Sequence, residues 1–375
     1  MKGVTTVRLK CGTKNIKLRL DSSEKNSMLV VGGSRAGKTF FASNFAADLI
    51  TEGYQVHLID LGDKWSYSDK KRLRLAGAQI IQVEQQGIEL VFQNKKELID
   101  CARHIINPLN IKSEGAKTVL KNTIKKLAEK DNASFQFGNI ITSLRSDDQD
   151  TRDKSEWSEK LADRLDGYSE IPDIRFTVDK NTVFSNTSTI WDLSGLDETY
   201  VKISTYLLLY CLLCQQRNYF RRDSFNTSSF FEQNDLKVFV VIDEFQNLDC
   251  DRHAIIGTCL TEGQKYKLAL ILLTQFLSNN FSEAVISQFK QGGYRFYFRL
   301  TEEEAWNVSR QLVYDIAKRK ELAQKLAHLP VGNCLMLGAH TIENRINVSE
   351  DFRIVQIEEE LNYVKRGTVY TPKSI

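Results

Sequence analysis

Residues 28–39 read MLVVGGSRAGKT, an apolar run that leads into a glycine-rich turn ending in lysine and threonine. The apolar run indicates a buried strand, and the helical spacing of apolar residues from Phe40 to Ile50 indicates that a helix follows the turn. The turn matches the pattern G-x-x-x-x-G-K-[ST], and it lies between a strand and a helix, as a phosphate-binding loop requires. This stretch therefore predicts an α/β fold with a nucleotide site at the turn.

Each residue type in such a loop has a physical task. Glycines let the backbone wrap closely around a phosphate, and successive N–H groups together with the helix N-terminus attract the anion. Lys38 is expected to reach the β- and γ-phosphates, and the Thr39 hydroxyl is expected to bind Mg²⁺. The predicted nucleotide-binding residues are Gly32, Gly33, Ser34, Arg35, Ala36, Gly37, Lys38, Thr39 and Phe40.

A carboxylate is expected at the end of a neighbouring strand, because the Mg²⁺ shell beside this loop needs one. Residues 237–244, KVFVVIDE, supply an apolar strand that ends in Asp243 and Glu244. Open α/β sheets bind ligands at the carboxyl ends of their strands. Asp243 is the predicted metal ligand, acting through water, and Glu244 is the predicted general base for the attacking water. Helix N-capping by Asp243 is compatible with the first role.

Residues 268–273, LALILL, also predict a buried strand, and polar residues follow it. The next residues are Thr274 and Gln275. An amide at the tip of a strand beside the acidic strand can touch the γ-phosphate or orient water, so Gln275 is a predicted catalytic residue. A plain capping role for Thr274 and Gln275 is the alternative.

The composition fits an ordinary globular protein, with 42% hydrophobic and 26% charged residues among 375. A net charge of +3 neither identifies nor excludes a nucleic-acid binder, since a local basic face matters more than the sum. The charged N-terminus, seven scattered cysteines and short apolar runs predict a cytoplasmic chain with reduced thiols and no membrane span. Cys211 and Cys214 form a C-x-x-C within an apolar run that is more typical of a buried helix than of a metal or redox site.

Patterning along the chain divides it into three parts. Residues 1–26 alternate between apolar and polar side chains around a glycine turn and predict a β-hairpin. Residues 95–180 contain charged amphipathic segments without strand-like runs and predict an all-α insertion. Residues 27–94 and 181–375 alternate strands with helices, which predicts a mostly parallel sheet covered on both faces.

The motifs, in their order and spacing, resemble those of the FtsK/HerA superfamily, the P-loop motors with an additional strand. The resemblance implies a RecA-like P-loop ATPase that uses ATP and Mg²⁺ and assembles with copies of itself into a ring, usually a hexamer. It also implies movement of DNA, or sometimes of protein, through a central channel. The segments that carry it are GGSRAGKT (32–39), TIWDLSGL (189–196), VFVVIDEF (238–245), EGQKYKLALILLTQ (262–275), GGYRFYFRL (292–300) and LPVGNCLMLG (329–338).

The resemblance further implies that an arginine of the neighbouring subunit completes the site and stabilises charge on the γ-phosphate. The predicted catalytic arginines are Arg295 and Arg299, which would share one face of a strand spanning both. Arg295 is preferred because the run YRFYF (294–298) resembles the arginine-led strand of FtsK motors. An ordinary edge-strand arginine is the alternative, and Arg310 is a further candidate. Gly263-Gln264-Lys265 replaces the Gly-Arg-Lys of many relatives, so one arginine that could act in trans is missing.

These observations predict a ring-forming, ATP-hydrolysing motor that translocates DNA. One alternative is the ATPase of a conjugation or secretion system that moves protein or protein–DNA cargo. Another is a nucleotide-dependent scaffold or motor for a partner effector, such as a nuclease in anti-phage defence. A channel for nucleic acid needs cations and aromatic side chains, and residues 64–74, KWSYSDKKRLR, offer both, with an ordinary solvated helix end as the alternative.

Overall fold

The computed structural model describes residues 4–11, 14–20, 26–62, 64–109, 111, 113–130, 134–146, 152–166, 174–180, 187–223, 238–248, 254–277, 283–290, 293–338, 340–342, 345–347 and 353–357. Its strands are β1 (Val4–Cys11), β2 (Lys14–Arg19), β3 (Met28–Val31), β4 (Gln55–Asp60), β5 (Gln79–Gln82), β6 (Ile88–Phe92), β7 (Ser134–Gln136), β8 (Ile174–Val178), β9 (Thr189–Asp192), β10 (Val238–Ile242), β11 (Leu268–Thr274), β12 (Tyr294–Tyr297), β13 (Asn333–Leu337), β14 (His340–Ile342), β15 (Arg345–Asn347) and β16 (Arg353–Ile357).

The helices are α1 (Lys38–Thr51), α2 (Tyr67–Ala76), α3 (Val83–Gln86), α4 (Lys95–Asp100), α5 (Ala102–Ile106), α6 (Glu114–Lys130), α7 (Phe137–Ser146), α8 (Arg152–Asp166), α9 (Glu198–Asp223), α10 (Ile255–Glu262), α11 (Glu283–Lys290), α12 (Glu302–Leu312) and α13 (Ile316–Ala327). Short 3₁₀ turns occupy Phe245–Asn247 and Gly263–Tyr266. None of the helices described is long and apolar enough to cross a membrane.

One large sheet of 13 strands organises the chain, in the order β15-β14-β2-β1-β16-β13-β12-β3-β11-β10-β4-β9-β5. The run β12-β3-β11-β10-β4-β9-β5 is parallel throughout. The run β15-β14-β2-β1-β16-β13 forms an antiparallel extension, in which β13 pairs with β12. The predicted α/β fold with a mostly parallel central sheet is confirmed. The site-bearing strands β3, β11 and β10 lie side by side in the parallel part, which brings their carboxyl ends to one edge.

Apolar layers cover both faces of the parallel part of the sheet, which is why its central strands are unbroken apolar runs in the sequence. On one face α1 contributes Phe41, whose ring lies 4.6 Å from that of Phe296 and 5.8 Å from that of Phe298. On the other face the long helix α9 is buried over most of its length. This two-sided burial holds β3, β10 and β11 in place, so the loops at their carboxyl ends start from a rigid base.

The predicted N-terminal hairpin forms as β1 and β2, although its turn residues 12 and 13 lie outside the described part of the chain. The hairpin belongs to the large sheet, since β1 pairs with β16 and β2 pairs with β14. The domain bounds of 1–26, 27–94 with 181–375, and 95–180 stay predictions.

The prediction that residues 95–180 are all-α is wrong, because β7 and β8 lie within them. They join β6 in a second sheet with the order β6-β8-β7. In β8 the buried Ile174 and Phe176 flank the exposed Arg175, and the Phe135 ring of β7 stacks on Phe176 with centroids 5.1 Å apart. Strands this short show too little alternation in sequence, and they are stabilised by partners far along the chain. The predicted helical segments of this region appear as α4 to α8.

Candidate nucleotide-binding site

The glycine turn between β3 and α1 is fixed by the two strands that flank β3. The Gly32 N–H donates to the Thr274 carbonyl at 3.1 Å, and the Gly33 N–H donates to the Arg299 carbonyl at 2.8 Å. A Cβ atom at Gly32 would lie 2.6 Å from the Cβ of Phe298, so the close approach to the residue just after β12 requires glycine there. The loop is therefore built into the sheet edge.

The turn delivers the chain into α1 through Gly37, which adopts a left-handed conformation with φ 107°. No side chain caps this helix start, so the first N–H groups of α1 face the loop as donors for an anion. Ser34 and Arg35 are exposed at the tip, and Ala36 is buried beneath it. The Phe40 ring, one turn into α1, lies under the Arg72 guanidinium at 5.1 Å.

Lys38 is buried, and its ammonium lies over the loop. Its Nζ donates to the Gly32 carbonyl at 2.7 Å and to the Gly33 carbonyl at 3.1 Å. Burial lowers the pKa of Lys38, and the nearby Asp243 and Glu244 carboxylates oppose this shift. A partly desolvated cation inside a loop of N–H donors suits a multiply charged anion such as a phosphate chain.

The predicted metal ligands Thr39 and Asp243 are in contact at the carboxyl edge of the sheet, although they are 204 positions apart in the sequence. The Thr39 Oγ1 donates to the Asp243 Oδ2 at 2.9 Å. Burial raises the pKa of Asp243, so this carboxylate gains from a nearby cation. Hydroxyl and carboxylate oxygens are ligands that Mg²⁺ accepts, so these two residues fit the predicted ion.

Glu244 leaves β10 in the left-handed conformation, with φ 53° and ψ 37°. A residue other than glycine in this region costs on the order of 1 kcal/mol or more, and such strain concentrates at functional sites. The Gln275 Nε2 donates to the Glu244 Oε1 at 2.6 Å. The structure therefore brings the predicted base and the predicted amide of the next strand into direct contact.

A second amide, from Gln246, donates to the other carboxylate oxygen of Glu244. Sequence reasoning missed Gln246. Its role depends on the 3₁₀ turn and on the left-handed backbone of Glu244, which the pattern of apolar residues does not reveal. The nearest signal is its position two residues after the acidic pair at the end of β10.

The expectation that Arg295 and Arg299 share one strand face is wrong, because β12 ends at Tyr297, between them. Arg295 lies inside the sheet between β3 and β13, opposite Leu29 and Leu337, and its side chain donates a hydrogen bond to Tyr297. Arg295 is thus not on an edge strand. Arg299 is exposed beyond the strand, beside the glycine turn.

Arg310 lies on α12, where its guanidinium donates to the Asn307 Oδ1 at 2.6 Å. Its side chain is exposed. Of the candidate arginines, Arg299 is therefore the one whose backbone contacts the phosphate-loop glycines.

The predicted channel segment, residues 64–74, divides into buried and exposed side chains. Trp65 is buried in the apolar core, whereas the Tyr67 side chain is 80% exposed. Arg72 donates to the Asp69 carboxylate at 3.0 Å and to the Ser43 hydroxyl of α1. The aromatic Trp65 and the cation Arg72 thus serve packing. The exposed aromatic and cationic side chains of the segment are Tyr67, Lys64, Lys71 and Arg74.

Lys70 anchors the same segment to the sheet. Its Nζ lies 2.8 Å from a carboxylate oxygen of Asp60 and 2.8 Å from one of Asp192, at the carboxyl ends of β4 and β9. Burial opposes ionisation of Asp192, and hydrogen bonds from Lys70 and Ser194 more than offset it, so the pKa of Asp192 is lowered. This ion pair holds α2 against two strands of the central sheet.

Lys70→Met should lower the free energy of unfolding by about 3 kcal/mol, because it leaves two buried carboxylates without their cation. Urea unfolding followed by circular dichroism measures the change. Lys71→Met, which removes the neighbouring exposed cation, should change stability by no more than about 0.5 kcal/mol. Equal losses in the two variants would contradict a structural role for Lys70.

Cys211 and Cys214 are buried in α9 as predicted. Burial raises the pKa of both thiols, to about 12 for Cys214, which disfavours the thiolate that metal binding or redox chemistry needs. Within the described residues no cluster of three or more His, Cys, Asp or Glu side chains has the arrangement of a metal site.

No protein-family model matches the chain, and no curated protein matches it in sequence. Solved structures do match. VirB4 of Thermoanaerobacter pseudethanolicus superposes with a TM-score of 0.61 at 14% identity, covering 93% of this chain and 95% of that one. The plasmid coupling protein TrwB in complex with the GTP analogue GDPNP gives a TM-score of 0.59 at 14% identity, covering 92% and 88%.

TrwB in complex with ADP and Mg²⁺ gives a TM-score of 0.57 at 13% identity, again covering 92% of this chain and 88% of that one. The likeness extends over most of each chain. The chain therefore has the same overall fold as VirB4 and TrwB.

Proposed function

We propose that this chain is an ATP-hydrolysing motor of the FtsK/HerA type that assembles into a homo-oligomeric ring, expected to be a hexamer, and translocates DNA. The observation that carries the proposal is the 2.9 Å hydrogen bond between Thr39 and Asp243, which joins the phosphate loop to the acidic strand. Lys38 is the residue before Thr39, and Glu244 is the residue after Asp243. This arrangement suits a magnesium-bound nucleoside triphosphate.

The residues would divide the work of hydrolysis. Mg²⁺, when bound, neutralises charge on the phosphate oxygens. Thr39 and Asp243 would hold the ion, and Lys38 would bind the phosphate oxygens. Glu244 would accept a proton from the attacking water, while Gln275 would orient that water or contact the γ-phosphate.

An arginine from the neighbouring subunit would complete the site. Arg299 is better placed for this than Arg295, because it is exposed at the carboxyl edge of the sheet whereas Arg295 lies between two strands. A trans-acting arginine makes hydrolysis depend on assembly, which is how a ring can coordinate its subunits.

The motor of a conjugation system is the second candidate function. The fold likeness to TrwB, which is described as a bacterial conjugative coupling protein, favours it. In that case the cargo would be a protein or a protein–DNA complex, and naked duplex DNA would not act as the stimulus.

The test is the ATPase rate with and without duplex DNA, on a sample whose mass is measured in the presence of nucleotide. The expected result is Mg²⁺-dependent hydrolysis that duplex DNA stimulates, in particles with the mass of a ring. Hydrolysis indifferent to DNA would favour the conjugation or secretion alternative. A strictly monomeric protein with full activity would contradict the trans-acting arginine.

A further inference from the structure

Two buried side chains anchor the turn that follows β10. Phe245 and Leu248 are buried in the core on either side of Gln246 and Asn247. The Asn247 N–H closes the turn by donating to the Glu244 carbonyl at 3.0 Å. Between these anchors the Gln246 side chain folds back toward Glu244, while Asn247 is exposed.

Two amides from different elements thus hold the two oxygens of one carboxylate. Gln275, at the tip of β11, donates to Oε1 of Glu244, and Gln246, from the turn after β10, donates to Oε2. The terminal torsion of a glutamate is broad and weakly restrained by itself. A donor on each oxygen fixes both the position and the plane of the carboxylate.

The two amides are not equivalent. If Gln275 contacts the γ-phosphate during hydrolysis, its amide must leave Glu244. Gln246 then remains as the donor that still holds the carboxylate, because it lies on a separate turn that the buried Phe245 and Leu248 anchor. A general base must lie within hydrogen-bond reach of the attacking water, and small misplacements have large effects on rate.

We infer that Gln246 is a positioning residue for ATP hydrolysis, acting through Glu244. The inference rests on the proposed ATPase function. Its amide N–H keeps the Glu244 carboxylate aimed at the site formed by Lys38, Thr39 and Asp243 while Gln275 is engaged elsewhere. The donor itself is what the site needs, rather than the volume of the side chain.

Gln246→Met tests this inference, because methionine keeps the length and volume of glutamine and removes the donor. We expect kcat for ATP to fall about tenfold, with the nucleotide Kd and the melting temperature close to those of the wild type. A crystal structure of nucleotide-free Gln246→Met should show the Glu244 side chain in more than one rotamer. This second readout does not depend on activity.

Gln246→Glu keeps the shape and places a second carboxylate against Glu244, so its kcat should fall further than that of Gln246→Met. Asn247→Ala, on the exposed neighbour in the same turn, is the matched control and should keep wild-type kcat. A Gln246→Met enzyme with wild-type kcat and a single Glu244 rotamer would overturn the inference and leave the proposed function intact. Wild-type protein without any ATP turnover would overturn both.

Discussion

Glu244→Gln should reduce steady-state ATP turnover by a factor on the order of 10³, with nucleotide binding retained. Glutamine preserves the size of the side chain, but its amide cannot accept the proton of the attacking water. The strained backbone of Glu244 and its contact with Gln275 place this side chain beside the Thr39–Asp243 pair. The measurement is kcat from phosphate release, with Kd from titration of a fluorescent nucleotide.

Lys38→Ala provides the contrasting variant. It removes the buried ammonium that lies over the glycine loop, so it should abolish hydrolysis and also weaken nucleotide binding. Loss of turnover in both variants, with loss of affinity in Lys38→Ala alone, separates the roles of cation and base. Near-normal turnover in Glu244→Gln would remove Glu244 from the role of general base.

The free energy of unfolding should fall steeply as the pH drops from about 6.5 toward 4, because two histidines are buried in neutral form. Burial lowers the pKa of His57 to about 4, and burial together with Arg103 lowers the pKa of His104 to about 3. In the unfolded chain both titrate near their usual value of about 6.5.

The direction follows from proton binding. Below about pH 6.5 the unfolded chain takes up protons that the folded protein excludes, so the stabilisation is complete above that pH and declines below it. Each histidine should contribute a slope of about 1.4 kcal/mol per pH unit, down to its own folded-state pKa. Urea unfolding at pH 7, 6 and 5 measures the combined slope.

His57→Gln and His104→Gln are the matched variants. Each should lower stability at pH 7, since His57 contacts Gln55 and Trp191 and His104 packs against the Tyr210 ring. Each should also reduce the slope of the unfolding free energy against pH by the contribution of one histidine. A slope that neither substitution changes would show that other residues cause the acid sensitivity.

Local signals were enough to predict most of the residues that meet at the candidate site. β3, β10 and β11 are continuous apolar runs because both of their faces are covered. β3 leads into the glycine turn, and β10 and β11 lead into polar residues at the same sheet edge. The parallel order of neighbouring strands then brings Thr39 to Asp243 and Glu244 to Gln275. These contacts follow from the fold class and the motif order together.

The features that the sequence did not predict depend on partners that are distant in the chain. Lys70 belongs to the segment predicted to be a channel contact or a solvated helix end, but it pairs with Asp192, 122 positions away. The β8 strand is stabilised by pairing with β6 and β7, and the end of β12 at Tyr297 separates two arginines that the sequence placed on one strand. Charge pairing and strand ends are set by tertiary contacts, which residue periodicity does not encode.

The antiparallel extension of the large sheet also covers one edge of its parallel part. β13 is an apolar strand whose outer side is covered by β16, which in turn pairs with β1. Without these partners, β13 would present unpaired backbone groups and a flat apolar edge, the kind of surface on which other chains add strands and aggregate. β1 and β16, the first and last described strands, thus cover the β13 edge of the sheet that carries the glycine turn.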